Sequence, residues 1–382
     1  MNKPIYLDYN AATPIDESVL QKMNAAIGNF ANPASSHLSG QNAANLLENS
    51  REIIADFLEA KPQEIIFSSG GTESNNSVLA QILRNPAINK ILISAVEHLS
   101  VEEYAEFLKK NGFNAIKIPV DNLGFVDLGF LEKNCDNRTL VSIIWANNEI
   151  GTIQDAARIA EIVKKNGGLL HFDAVQAFGK INVSAKEIPF DFLSFSSHKI
   201  YGPRGIGGLF VREGVGFAPF LIGGEQENGL RSGTANQWLA CGFAKAVELR
   251  KAEFEDEQKS LWKMRENLME KLSGINGLSF NGSQDFGKTL AGTLNMTISD
   301  IENEIIALRL DNAGICVSKG SACSAQKVRT SSVLAAIGLS NSAAARTIRI
   351  SLGKQTTLDE IDFFIEKLTE IIQNVRKSRN DT

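Results

Sequence analysis

Four polar clusters in this 382-residue chain carry side chains able to do chemistry, and each follows a short apolar run. Ser196-Ser197-His198-Lys199 follows Phe192-Leu193-Ser194-Phe195 and leads to Gly202-Pro203-Arg204-Gly205. A lysine in this setting is a candidate Schiff-base former, because partial desolvation and nearby cations lower its pKa. Ser196 and His198 are candidate phosphate ligands. Asp173 follows Leu169-Leu170-His171-Phe172, with Gln176 three residues on. A carboxylate there is either a helix cap or the partner of a protonated pyridine nitrogen, as a pyridoxal cofactor requires; electrons from a breaking substrate bond then drain into the ring. Ser68-Ser69-Gly70-Gly71-Thr72 separates an apolar run from an amphipathic one. Glycines and the free N–H groups of a helix start form an anion cradle there, unless Thr72 is simply the N-cap after a turn. Neither a P-loop ending nor a Gly-x-Gly-x-x-Gly pattern is present, so a nucleotide is not favoured. His98, after Ile91 to Glu97, is an aromatic ring able to stack on a planar cofactor and to handle protons. Asn147-Asn148-Glu149 adds amide donors. Each cluster has a bland reading of its own (a cap, a surface lysine, a satisfied buried histidine). Taken together they describe a pyridoxal-phosphate site.

The elements that must position these clusters are legible in the apolar periodicity. Helical spacing covers Asn42 to Leu58, Thr72 to Leu83, Ser100 to Lys110 and Asp155 to Asn166. Strand-like runs lie at Glu64 to Phe67, Lys90 to Ser94, Ala115 to Val120, Leu140 to Trp145, Leu169 to Phe172, Phe192 to Phe195 and Gly208 to Val211. Short strands alternating with helices predict an α/β domain around a mostly parallel sheet, where ligands gather at the strand ends. After Arg231 the texture changes. Gln237 to Leu272 reads as one long helix, followed by strands near Leu278 and Thr293 to Ile298, a helix from Glu302, and a Gly/Ser-rich stretch from Ser318 to Ser332. A strand at Thr347 to Ser351 and a terminal helix from Leu358 complete a smaller α+β part. The expected division is a large domain over 16–250 and a small one built from 1–15 and 251–382.

Composition narrows the function classes. A formal net charge of -5 gives no support for nonspecific binding to nucleic acid or an anionic membrane. No apolar run approaches the roughly 20 residues of a membrane span, and the start runs directly into the strand-like Ile5-Tyr6-Leu7, so no secretory signal is expected. Cys135, Cys241, Cys316 and Cys323 are scattered, without a Cys-x-x-Cys or a histidine at ligand spacing. Neither a disulfide framework nor a metal site is expected, and a reducing cytoplasm is the natural compartment.

At this point the sequence resembles the cysteine desulfurases of the NifS/IscS type, within the class V aminotransferase-like enzymes. The motifs run in order from Tyr6-Leu7-Asp8-Tyr9-Asn10-Ala11-Ala12-Thr13-Pro14 through Gly71-Thr72-Glu73-Ser74-Asn75-Asn76, Glu97-His98 and Asn147-Asn148-Glu149-Ile150-Gly151. They continue with Asp173-Ala174-Val175-Gln176, Ser196-Ser197-His198-Lys199 and Arg231-Ser232-Gly233-Thr234, and end with Gly320-Ser321-Ala322-Cys323 and Arg349-Ile350-Ser351-Leu352-Gly353. The resemblance implies the aspartate-aminotransferase-like fold, with a seven-stranded sheet in the large domain. It implies pyridoxal 5'-phosphate in Schiff-base linkage to Lys199, Asp173 on the pyridine nitrogen, His98 stacked on the ring and Gln176 at the phenolic oxygen. Gly71, Thr72, Ser196 and His198 would cradle the phosphate, and Thr234 would reach the phosphate of the other subunit of a homodimer. Asn148 and Arg349 would hold the carboxylate of L-cysteine.

Cys323 separates desulfuration from transamination. Its Gly/Ser-rich surroundings suit a mobile loop. A thiolate there would take the substrate sulfur as a persulfide, release alanine and pass the sulfur to an acceptor protein, either an iron–sulfur scaffold or a transfer-RNA thiolation enzyme. The other three cysteines read as small buried apolar residues. Ala12, Ser197 and Lys319 depart from the commonest family pattern without removing a needed group. The chain stops at Thr382, short of the longer tail that housekeeping relatives use toward a scaffold, which leaves the acceptor open. The rival readings are a selenocysteine lyase or class V aminotransferase on the same fold, and a non-catalytic sulfur-relay or scaffold-binding protein.

Overall fold

The computed structural model describes residues 4–319 and 331–380. Its main sheet contains β2 (Ile65–Ser68), β3 (Lys90–Ser94), β4 (Asn114–Ile118), β5 (Thr139–Ile144), β6 (Leu169–Asp173), β7 (Phe192–Ser196) and β8 (Gly207–Val211), after a short β1 (Ile5–Tyr6) that pairs elsewhere. The strand order is β2-β8-β7-β6-β5-β3-β4, and β8 alone runs antiparallel to its neighbours. This is the mostly parallel seven-stranded sheet that the resemblance implies. Central strands are buried along their whole length, which is why Leu140 to Ile144 is nearly all apolar instead of alternating. The edge strand β4 keeps exposed positions, and it stops at Ile118 because Pro119 has no N–H for the ladder.

Helices α1 (Glu17–Ala26), α2 (Leu38–Phe57), α3 (Gly71–Leu79), α4 (Leu99–Lys110), α5 (Leu128–Asn134) and α6 (Ala156–Lys165) belong to this layer. Helix α1 escapes the periodicity reading because it buries only Val19 and Ala26, although Asp16 caps it by accepting from Ser18 N–H. The expected helix to Leu83 ends as an α-helix at Leu79 and finishes as a 3-10 turn, Ala80–Leu83.

Helix α7 (Gln237–Ser273) runs unbroken for 37 residues between two cores. Ala240, Phe243, Ala246 and Val247 join the core around the large sheet. Leu261, Met264, Leu268 and Leu272 join a second core with Leu7 and the strands β9 (Leu278–Asn281), β10 (Thr293–Ile298), β11 (Ile315–Cys316) and β12 (Thr347–Ser351). That second sheet has the order β12-β10-β9, all antiparallel, while β1 pairs with β11. Helices α8 (Asn303–Asn312), α9 (Ser332–Ala336), α10 (Asn341–Ala344) and α11 (Leu358–Asn380) complete the chain. No helix among the described residues is long and apolar enough to cross a membrane.

Candidate active site

β2, β3, β5, β6 and β7 are mutually parallel, so their C-terminal ends share one edge. The clusters singled out in the sequence follow those ends. Lys199 lies in the 3-10 turn Ser197–Lys199 directly after β7. Its Nζ donates to the carbonyls of Asn10 at 2.5 Å and Ala11 at 2.8 Å. The N-terminal segment thus fixes the lysine, and Thr13 fixes the turn itself: its hydroxyl donates to the His198 carbonyl at 2.9 Å and accepts from Tyr201 N–H at 2.7 Å. Tyr201 has φ +66°, a left-handed conformation uncommon for a bulky residue and one that such double anchoring sustains. A Cβ on Gly202 would fall 2.0 Å from the Ser197 hydroxyl. The glycine therefore makes room for Ser197.

Asp173 is 2% exposed at the end of β6. It accepts from Asn75 Nδ2 at 2.7 Å and Val175 N–H at 2.9 Å. Burial pushes its carboxyl up, with the charge of His98 pulling the other way. His98 is the N-cap of α4. Its Nδ1 accepts from Ser100 N–H at 3.1 Å, which places the proton of the neutral ring on Nε2. Burial lowers its pKa, with the Asp173 carboxylate pulling the other way. The histidine serves both as a cap and as a ring beside Asp173. Asn75 ties the two together by donating to Ser100 Oγ at 2.9 Å as well as to Asp173.

Helix α3 begins at Gly71 with Gly70 as its N-cap and no side-chain cap bond, so the Thr72 N-cap reading is set aside. A Cβ on Gly71 would meet Val175 at 2.5 Å, so only glycine lets the helix start lie against the turn after Asp173. Ser196 and His198 are joined through Oγ and Nδ1 at 2.8 Å, and the Ser196 hydroxyl lies 3.9 Å from where a Gly70 Cβ would sit. These residues fit pyridoxal phosphate: an uncapped helix start could receive its phosphate, and a buried carboxylate with only neutral donors could hold its pyridinium.

Arg349 comes from β12 and is 2% exposed. It donates through Nη1 to the Asn148 carbonyl at 2.9 Å and through Nη2 to Asp8 at 2.6 Å, and its buried Nε has no hydrogen-bond partner among the described residues. Arg349 and Asn148 are therefore brought together. Thr72 and Thr234 are exposed, the latter just before α7. Cys323 lies outside the described residues. Sequence reasoning passed over three participants. Asn10 and Asn75 stand inside quoted motifs without a role, and Lys180 lies four residues past Gln176 in the turn after β6.

The chain matches the family described as "Aminotransferase class-V" over residues 5–364, and it belongs to that family. It is 40% identical to cysteine desulfurase IscS 1 of Archaeoglobus fulgidus over 375 residues, 97% of each chain. A solved NifS-like protein superposes with a TM-score of 0.90 at 37% identity, covering 97% of this chain and 99% of the other. A structure described as SspA in complex with cysteine superposes with a TM-score of 0.80 at 34% identity, covering 92% of this chain and 100% of the other. Within its family the chain is a pyridoxal-phosphate-dependent enzyme of the cysteine desulfurase type.

Proposed function

We propose that the enzyme takes L-cysteine, releases L-alanine and leaves the sulfur as a persulfide on Cys323 for an acceptor protein. The observation that carries this reading is the convergence of Lys199, Asp173 and His98 on one sheet edge, with Arg349 delivered to Asn148 from the second sheet. Bound pyridoxal phosphate supplies the electron sink. Lys199 holds the cofactor and moves protons at the substrate Cα. Asp173 would keep the ring nitrogen protonated, Gln176 would serve the ring oxygen, and His98 would stack on the ring and offer its Nε2 proton. Gly71, Thr72, Ser196 and His198 cradle the phosphate, and Arg349 with Asn148 holds the substrate carboxylate. The Cys323 thiolate attacks the substrate sulfur, so that an S–S bond forms as the C–S bond breaks.

A homodimer belongs to the same reading, with Thr234 reaching the other subunit's phosphate. Its support is the exposure of Thr234 on a segment tied to α3 by Arg231, which donates to Glu73 at 2.9 Å. The separate clustering of Leu261, Met264, Leu268 and Leu272 with Leu7 and β10, apart from the core around the large sheet, supports a large domain over 16–250 and a small one from 1–15 and 251–382. Free thiols at Cys135, Cys241 and Cys316 suit a cytoplasmic home. The acceptor is an iron–sulfur scaffold or a transfer-RNA thiolation enzyme.

The test compares wild type with Cys323→Ala at equal cofactor loading, reading alanine and sulfide release from L-cysteine plus a reductant. Activity abolished in the variant is the expected result. Unchanged activity would move the enzyme to the selenocysteine lyase or aminotransferase reading.

A further inference from the structure

A second lysine lies half-buried beside the first. Gly179, at φ +71°, turns the chain after the helical turn that follows β6; a Cβ there would meet Ile200 at 2.8 Å and Arg250 at 3.3 Å. The next residue, Lys180, is thereby directed inward, where it lines a small cavity between the two sheets with Asn10, Lys199, Arg250 and Glu257. Its Nζ donates to the Gln176 side-chain oxygen at 2.5 Å and to Asn10 Oδ1 at 3.2 Å. The carbonyl of the same Asn10 accepts from Lys199 Nζ at 2.5 Å and from Gln176 Nε2 at 2.8 Å. Lys180, Gln176 and Lys199 therefore converge on one residue.

We propose that Lys180 is a positioning residue of the reaction centre, fixing which end of the Gln176 amide faces the cofactor and placing a second amine beside Lys199 to compete with it for a proton. An amide has one acceptor end and one donor end. With the acceptor engaged by Lys180 and one amide N–H given to the Asn10 carbonyl, the second N–H is left for the cofactor's ring oxygen, where a donor stabilises negative charge. Charge on either lysine disfavours charge on the other, so removing the Lys180 amine leaves Lys199 easier to protonate and slower to attack a carbonyl. The repulsion is mutual. Burial first, and then the Lys199 charge, push the Lys180 ammonium down to about 7. Facing Lys180 are Lys199 from the turn after β7, Arg250 and Glu257 from α7, and Arg349 from β12; only Glu257 favours its charge. Glu257 is itself engaged by Arg250 and accepts from the Tyr201 hydroxyl at 2.9 Å.

This inference rests on Lys199 being the cofactor-bearing lysine, and the experiment separates the two. Borohydride reduction followed by peptide mass analysis locates the cofactor; attachment elsewhere than Lys199 would overturn both. With attachment at Lys199 established, wild type, Lys180→Met, Lys180→Gln and Lys180→Arg are compared in two measurements. The first is the pH midpoint of the bound cofactor's visible absorbance. It is expected to rise by on the order of one pH unit in Lys180→Met and Lys180→Gln and to return toward wild type in Lys180→Arg. The second is the rate at which the apoprotein captures added pyridoxal 5'-phosphate at pH 7, expected to fall about tenfold in the uncharged variants. A merely structural Lys180 would alter thermal stability without moving the midpoint. Lys180→Gln keeps a donor for the Gln176 oxygen, so it tests the charge even where Lys180→Met fails to fold. An unchanged midpoint and capture rate in a folded uncharged variant overturns the proposal.

Discussion

Asn75 donates its side-chain amide to Oδ2 of Asp173 at 2.7 Å, joining the first turns of the phosphate-facing helix to the carboxylate at the end of β6. The two ends of the cofactor site are thus held by one rigid link. The same amide also reaches Ser100, next to the cap residue His98.

Asn75→Ala removes a hydrogen bond to a buried charged group, which is worth about 1.5–3 kcal/mol. The Asp173 carboxyl, already pushed up by burial, rises further and holds a pyridinium less well. Cofactor affinity is expected to fall about tenfold to a hundredfold, read by absorbance titration of the apoprotein with pyridoxal 5'-phosphate.

Asp173→Asn keeps the size but gives up the negative charge that would hold the ring nitrogen's proton. Turnover of L-cysteine is expected to drop at least about 100-fold while the cofactor still binds covalently. Lys199→Ala is expected to lose both turnover and any borohydride-reducible linkage. A trapped linkage in Lys199→Ala would reassign the lysine.

Glu97 is fully buried at the end of β3, where it accepts from Ser94 Oγ at 2.5 Å and Ile144 N–H at 2.8 Å. Burial, with a smaller push from Asp173, raises its carboxyl to about 8. A group whose folded pKa lies above its unfolded value stabilises fully below the unfolded value. Here that means below about 4.5, with the contribution lost progressively as pH rises to about 8. Glu97→Gln keeps the accepting oxygen and cannot ionise. The variant is expected to gain stability over wild type between pH 5 and 8.5, by at most about 5 kcal/mol, and then to level off. Thermal midpoints of both proteins across that range supply the check. His171, lowered by burial to about 3, acts in the opposite sense at lower pH and is common to both proteins.

Arg51 and Glu227 form a buried bidentate pair, Nη1 to Oε2 at 2.7 Å and Nη2 to Oε1 at 2.9 Å, and Glu227 also accepts from Phe67 N–H at 2.8 Å. Removing one partner strands the other charge. Arg51→Met is expected to cost about 3–5 kcal/mol, and Arg51→Met with Glu227→Gln less than the sum, by denaturant unfolding. Because Glu227 leads the segment to Arg231 and Thr234, cofactor retention in the single variant is expected to fall with stability.

Much of the site was legible because each functional side chain follows an apolar run, and in a parallel sheet the end of such a run is an address. Asp173, Lys199 and His98 were found this way, and the alternation of strand and helix located the sheet that holds them. The roles of Asn75, Asn10 and Lys180 were not legible. Asn75 reads as an ordinary polar residue on a helix, and only the crossing of α3 over the end of β6 aims it at Asp173. Asn10 lies 189 residues before the lysine whose nitrogen its carbonyl accepts. Helix α1 was missed because its apolar stripe is too thin to register as a period.

The sequence by itself determined the chemistry available: which groups titrate, which run of residues becomes strand or helix, and which glycines permit a close approach. Tertiary structure decided what those groups meet. The environments of Lys180, Asp173 and Glu97 come from neighbours on other elements, through burial and charge, and both act through space and not along the chain. A lysine four residues from a glutamine is therefore a surface residue or a reaction-centre residue depending only on what folds over it.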